Sequence, residues 1–162
     1  MEQHQGEPRR HRQAHRSALG QLYAGEAAAW GELYQQVCHQ YTVGEVAYVA
    51  APHLLVIAQT AAPRIRAMML ITIGTIEASR ACYPRATAVL RDEWRDEYEQ
   101  ACAGARTLIA DTLREPGGDP NDTLQLIGAL AALHGHPNVC MLLEGDPLTC
   151  PECGESIEFG DR

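Results

Sequence analysis

Between Tyr41 and Arg80 apolar positions recur at a helical period that is interrupted once. Val46, Ala50, Leu54, Ile57 and Ala61 stand three or four residues apart, and Val49, Leu55 and Ala58 widen the stripe. Thr42 and Glu45 have the Thr-x-x-Glu spacing of a capping box, which predicts a helix start just beyond Thr42. Pro52 removes one backbone donor within that helix and is expected to kink it. Ala62-Pro63 then reads as a stop and restart, with Pro63 suited to a first helical turn. In the second helix Ile65, Met68, Met69, Thr72, Ile73 and Ile76 repeat the period. Its centre, Ala67 to Ile76, carries no charge, so it is expected to lie buried between neighbours.

The same reading extends in both directions. A helix from Gly25 to about Gln40 has Trp30, Leu33, Tyr34, Val37 and Tyr41 as its apolar stripe. Cys82-Tyr83-Pro84 is a break. Arg91 to Glu115 predicts a long amphipathic helix, with Trp94, Tyr98, Cys102, Ala105, Ile109 and Leu113 on one face. Acidic residues crowd its first two turns, where they complement the helix dipole. Pro116-Gly117-Gly118 ends it. Asp119 and Pro120 then supply a cap and a first-turn proline for a helix that Gly135 terminates. A short helix from Pro137 to Leu143 follows. The total is about six helices, in three antiparallel pairs joined by short turns. The alternating signature of strands is nearly absent, so the expected class is all-α.

Composition and charge narrow the functional classes. The 162 residues suffice for one ordinary core, and the formal net charge of −8 opposes general nucleic-acid binding, which needs phosphates neutralised. The exception is the Arg/His-rich start, where Arg9, Arg10, Arg12 and Arg16 cluster. Residues 1–17 read as a disordered basic arm, 18–145 as the helical domain and 146–162 as a cysteine-containing tail. Val46 to Pro63 is uncharged but holds Pro52, His53 and Gln59, so no membrane span is expected. The polar beginning lacks the apolar core of a secretory signal, and six irregularly spaced cysteines suit reduced thiols. A cytoplasmic protein is expected.

Two places carry candidate chemistry. Cys150-Pro151-Glu152-Cys153-Gly154 has the two-thiolate spacing of a zinc knuckle, and a closed tetrahedral site needs two further ligands. His134, His136 and Cys140 are the nearest upstream residues of the right type, with His136 and Cys140 taken as the candidates. Zinc is therefore the candidate cofactor, and a small zinc-dependent enzyme or zinc-regulated protein is the alternative function. The second place is the turn before the first helix of the apolar pair. His39, Tyr41, Glu45 and Tyr48 gather there, with Glu77 and Arg80 on a neighbouring helix end, and are candidates for partner binding. No nucleophile, base and orienting group can all be named among them, which favours a structural over a catalytic reading.

Two segments resemble bacterial HEAT-like helical-repeat proteins. One runs from Cys38-His39-Gln40-Tyr41-Thr42-Val43 into Ala47-Tyr48-Val49-Ala50-Ala51-Pro52-His53-Leu54. The other is Ala129-Leu130-Ala131-Ala132-Leu133-His134-Gly135-His136-Pro137 with Leu142-Leu143-Glu144-Gly145 and the Cys-Pro-x-Cys-Gly tail. The resemblance covers roughly Trp30 onward. It implies a short α-solenoid and, by analogy, a non-catalytic protein-interaction module; an immunity-type binder of a basic toxin is one instance.

Overall fold

The computed structural model describes residues 37–39 and 42–143, together with Gly20, Tyr34 and the backbone of 148–149 and 156–157; His39 is described by its backbone alone. Five helices are described: α1 (Glu45–Thr60), α2 (Pro63–Cys82), α3 (Asp92–Thr112), α4 (Pro120–Leu133) and α5 (Pro137–Leu143). Two minimal antiparallel pairs accompany them. β1 (Cys38–His39) pairs with β2 (Thr42–Val43), and β3 (Leu148–Thr149) pairs with β4 (Ser156–Ile157). The described chain is all-α.

Helix ends follow local chemistry. Pro63 begins α2 at its first position, where its missing N–H leaves no bond unmade. The Asp119 carboxylate accepts from the Asn121 N–H at 2.8 Å and caps α4 ahead of Pro120. Gly135 closes α4 at φ +86°, with its N–H on the Ala132 carbonyl and that of His136 on Ala131, a Schellman arrangement. Gly117, at φ +88°, sits in the turn after α3.

Three expectations are corrected. The Thr42–Glu45 capping box does not form: Gly44 is the N-cap of α1 without a side-chain cap, because Thr42 pairs with His39 in the hairpin. The helix expected to reach Gln40 ends earlier, since Cys38 pairs with Val43 and both side chains enter the core. Of that helix's stripe, Trp30, Leu33 and Tyr41 lie outside the described residues, Tyr34 is partly buried and Val37 fully so. Third, α1 buries Ala47, Tyr48 and Ala51 besides the expected Ala50, Leu54, Ile57 and Ala58, while Val49 is exposed. Both rows of α1 are apolar, and the row of small side chains is the one that lets a neighbour come close.

α1 packs against both α2 and α3, and α2 is the centre of the described fold. Ten of its residues are buried, and it packs against each of the other four described helices. Its buried hydroxyls Thr72 and Thr75 donate to the Met68 and Ile71 carbonyls of their own helix, so the interior needs no other acceptor for them. α2 and α4 lie close at Gly74, where an added methyl group would run into Ala129 Cβ and stand 2.5 Å from its Cα. A smaller apolar cluster of Ala78, Ala132, Cys140 and Met141 seals α2 and α4 against α5. No described helix is long and apolar enough to cross a membrane.

Candidate functional site

The end of α2, the start of α1 and the start of α3 meet at one rim, and the loop 83–91 is pinned across it. Thr87 donates to the Tyr83 carbonyl at 2.8 Å, which folds the loop back on its own beginning. The Ala88 N–H reaches the Val43 carbonyl at 2.7 Å, and the Ala88 carbonyl accepts the Tyr48 hydroxyl at 2.7 Å. Arg95 adds a longer bond, 3.4 Å, to the Leu90 carbonyl. Side chains along this extended stretch alternate: Ala88 and Leu90 turn inward while Val89 is 82% exposed. An apolar side chain is thus held out to solvent on a backbone fixed on both sides.

Charged residues frame Val89. Glu45 forms an ion pair with Arg91, whose guanidinium also lies 5.1 Å from the centre of the Trp94 ring. Asp92 pairs with Arg95 at 3.0 Å. The carboxylates of Asp96, Glu97 and Glu99, on the first two turns of α3, are exposed and have no cationic partner among the described residues. The rim is therefore apolar at its tip and acidic along its flank.

Beneath it lies a polar network that ties α2 to α3. Arg80 grips Glu77 through two hydrogen bonds of 2.6 and 3.0 Å, and the Tyr98 hydroxyl donates to the same carboxylate at 2.9 Å. Those bonds to Glu77 keep the Arg80 guanidinium firmly charged. Burial raises the Tyr98 phenol well above its ordinary range, with Cys102 and Glu77 adding to the effect. Burial likewise raises the Tyr48 phenol. It pushes the Cys102 thiol, one turn beyond Tyr98, up to about 11. These groups are held neutral, so they form a structural network and not a set of poised nucleophiles.

The sign of the resulting pH dependence is fixed. Where a folded pKa is raised, the unfolded chain loses its proton first, so stability is full below the unfolded value and falls as pH rises past it. For Cys102 the fall begins near pH 9 and continues to about 11, and Tyr98 extends it. Urea midpoints at pH 8 and pH 10.5 should therefore differ, and Cys102→Ala should shrink that difference. An equal drop in the variant would remove Cys102 from the explanation.

The sequence candidates fall as follows. Glu45 is on the rim and exposed. Tyr48 is not: it is 0% exposed, edge-on to Tyr98 at 5.1 Å, and acts from inside by holding Ala88. It cannot touch a partner directly, because its one polar atom is already engaged within the core. The His39 side chain and Tyr41 lie outside the described residues, as do Cys150 and Cys153. His136 is exposed just before α5, whereas Cys140 is 1% exposed among Ala78, Ala132 and Met141. No group of three potential metal-binding side chains occurs among the described residues. The pairing of Glu77 with Arg80 is present. Val89 and the loop carrying it were not singled out by sequence reasoning; the available signal was a β-branched residue between Pro84 and an acid-rich helix start.

At the far end of α2 a cavity of about 530 Å³ opens between Pro63, Arg64, Leu113 and the first turn of α4. Its wall mixes signs, with Arg64 facing a lining that includes Glu115 and Asp122, and none of the sequence candidates borders it. Comparison of the chain with protein-family models, with characterised proteins and with solved structures finds no match. The likeness to HEAT-like proteins therefore rests on the two quoted segments alone.

Proposed function

We propose that this chain is a non-catalytic protein-interaction module whose rim, tipped by Val89 and flanked by the acidic start of α3, binds a basic segment of a protein partner. The observation that carries this reading is the exposure of Val89 on a loop fixed by the Ala88 hydrogen bonds. A preordered apolar contact loses little conformational freedom on binding, which is how interface anchors gain their effect. The exposed carboxylates of Asp96, Glu97 and Glu99 and the net charge of −8 favour a basic target, and a basic toxin met by an immunity-type binder is one instance.

The scaffold is read as a short stack of helix pairs in the manner of HEAT-like repeats. Short connections at 61–62 and 134–136 support that reading, while the packing of α2 on all four other described helices favours a bundle closed around one helix.

The test is cross-linking capture from the source cells with the wild-type chain, Val89→Asp and Val56→Asp. A partner retained by Val56→Asp, weakened about tenfold by Val89→Asp and released by salt would support the rim. Identical capture by all three chains, or cross-links confined to another face, would sink it.

A second reading has its own observation. The backbone pairs Leu148↔Ile157 and Thr149↔Ser156 stand on either side of Cys150 and Cys153 in the sequence, whose spacing is that of a knuckle. Zinc suits that spacing, with His136 the more accessible further ligand; Cys140 would have to leave its apolar cluster. Metal analysis of the purified chain against Cys150→Ser/Cys153→Ser decides it: about one zinc per chain (or per two chains) that vanishes in the variant supports the site, and none dismisses it.

A further inference from the structure

We infer that the cavity at the far end of α2 binds a small zwitterion with an apolar side chain, the chemistry shared by free apolar amino acids and their dipeptides. Its volume, about 530 Å³, falls within the range of small-molecule sites. Three segments enclose it: the first turn of α2, the end of α3 with the turn that follows, and the first turns of α4. The floor is apolar. Ala67 and Leu126 are both buried, and the partly buried Leu113 lines it as well.

The charged groups of the wall select the charges of the ligand. Arg64, Glu115, Asp119 and Asp122 line the cavity. Glu115 is held by Arg66 at 3.0 Å, and the Asp119 carboxylate accepts the Asn121 N–H as the cap of α4. Both are engaged within the chain. The side chains of Arg64 and Asp122 have no hydrogen-bond or ion-pair partner among the described residues, and they do not pair with each other. One cation and one anion thus border a single apolar floor without neutralising each other. A simple anion would be repelled by Asp122 and a simple cation by Arg64, whereas a zwitterion answers both.

The start of α2 sets the orientation. Its first intrahelical bond runs from the Arg66 N–H to the Ala62 carbonyl, so the Arg64 N–H stands before it, and Ala62 has no side-chain group to cap it. A carboxylate at this end is met by the Arg64 guanidinium and by the positive pole of the helix. The ammonium then lies toward Asp122, and the side chain descends on Ala67 and Leu126. Arg64 is exposed and Asp122 half-buried, so water screens both contacts and the Kd is on the order of 1 mM.

The experiment is an amide-shift NMR titration of the full chain with L-leucine and with probes that each lack one of its features. These are 4-methylpentanoate without the ammonium, leucinamide without the carboxylate, and glycine without the side chain. Leucine at up to about 20 mM should move the amides of Arg64, Ala67, Asp122 and Leu126, and each partial probe should bind at least about fivefold more weakly. Arg64→Gln and Asp122→Asn should each weaken leucine binding about fivefold, while Val56→Asp, on the exposed side of α1, should bind like the wild type. Neither wall position is fully buried, and unchanged far-ultraviolet circular dichroism will show that the variants fold. Leucyl-leucine distinguishes the sources: tighter binding than leucine assigns a peptide and weaker binding a free amino acid, and either supports the inference. No shift with either zwitterion, shifts confined to residues away from the cavity, or equal binding of 4-methylpentanoate or leucinamide would each overturn it.

Discussion

Gly74→Ala is expected to destabilise the chain by about 2–3 kcal/mol even though alanine is the better helix former. The added methyl group would run into Ala129 Cβ and stand 2.5 Å from Ala129 Cα. The Cα distance is to backbone, so no side-chain rotation relieves it and α2 and α4 must separate. Helix propensity returns about 1 kcal/mol, and overpacking outweighs it. Thermal unfolding followed by circular dichroism should show a midpoint lower by roughly 4–12 °C. Ala129→Gly in the same chain should restore only part of the loss, because the Cα clash remains. Two comparisons guard the reading. At Gly104 the nearest atom is Leu55 Cδ2 at 2.5 Å, the end of a flexible side chain, and at Gly44 nothing lies within 4 Å. Alanine at either position should cost much less, and a Gly74→Ala chain as stable as the wild type would mean that the helices are not this close.

Tyr48→Ala should cost about 4 kcal/mol, the range for deleting a fully buried aromatic ring. The ring is wholly buried, packs edge-on against Tyr98 with an interplanar angle of 84°, and cannot be replaced by its alanine-rich surroundings. Tyr48→Phe is the more informative change. It keeps the ring and removes only the 2.7 Å bond to the Ala88 carbonyl, for an expected loss of about 1–1.5 kcal/mol. Because Ala88 also donates to Val43, loosening should spread along the loop to Leu90. Amide exchange at Ala88 and Leu90 should accelerate more than exchange in the middle of α2. If the rim binds as proposed, Tyr48→Phe also weakens partner binding while Val89 itself is intact. Unchanged exchange at Ala88 would show that the hydroxyl does not hold the loop.

The contrast between these positions shows what was legible. The start of α2 could be read from Pro63 alone, and the cap of α4 from Asp119 and Pro120, because the responsible atoms lie within one turn of the feature they create. The same locality misled at Thr42. Its spacing to Glu45 suits a capping box, but a hairpin pairing with His39 competes for the same backbone, and the motif could not reveal that competitor. On α1 two apolar rows were visible, and the pattern could not choose between them. Packing against α2 and α3 buried the alanines at 47, 51 and 58 and left Val49 outside.

By itself, then, the sequence determined an all-α chain, the bounds of α2 to α5 to within a residue or a turn, the burial of α2 and the turns at Gly117 and Gly135, since propensity, capping and positive φ are properties of a few adjacent residues. Only the tertiary structure decided the rim. Glu45 finds Arg91 across 46 residues, Tyr48 finds Ala88 across 40, and Tyr98 finds Glu77 across 21. These partners are chosen by how the helices stack around α2, and no local pattern encodes that choice. The same packing leaves Val89, Leu124, Ile127, Val139 and Leu143 outside: exposure is a property of the assembled neighbours, not of the residue.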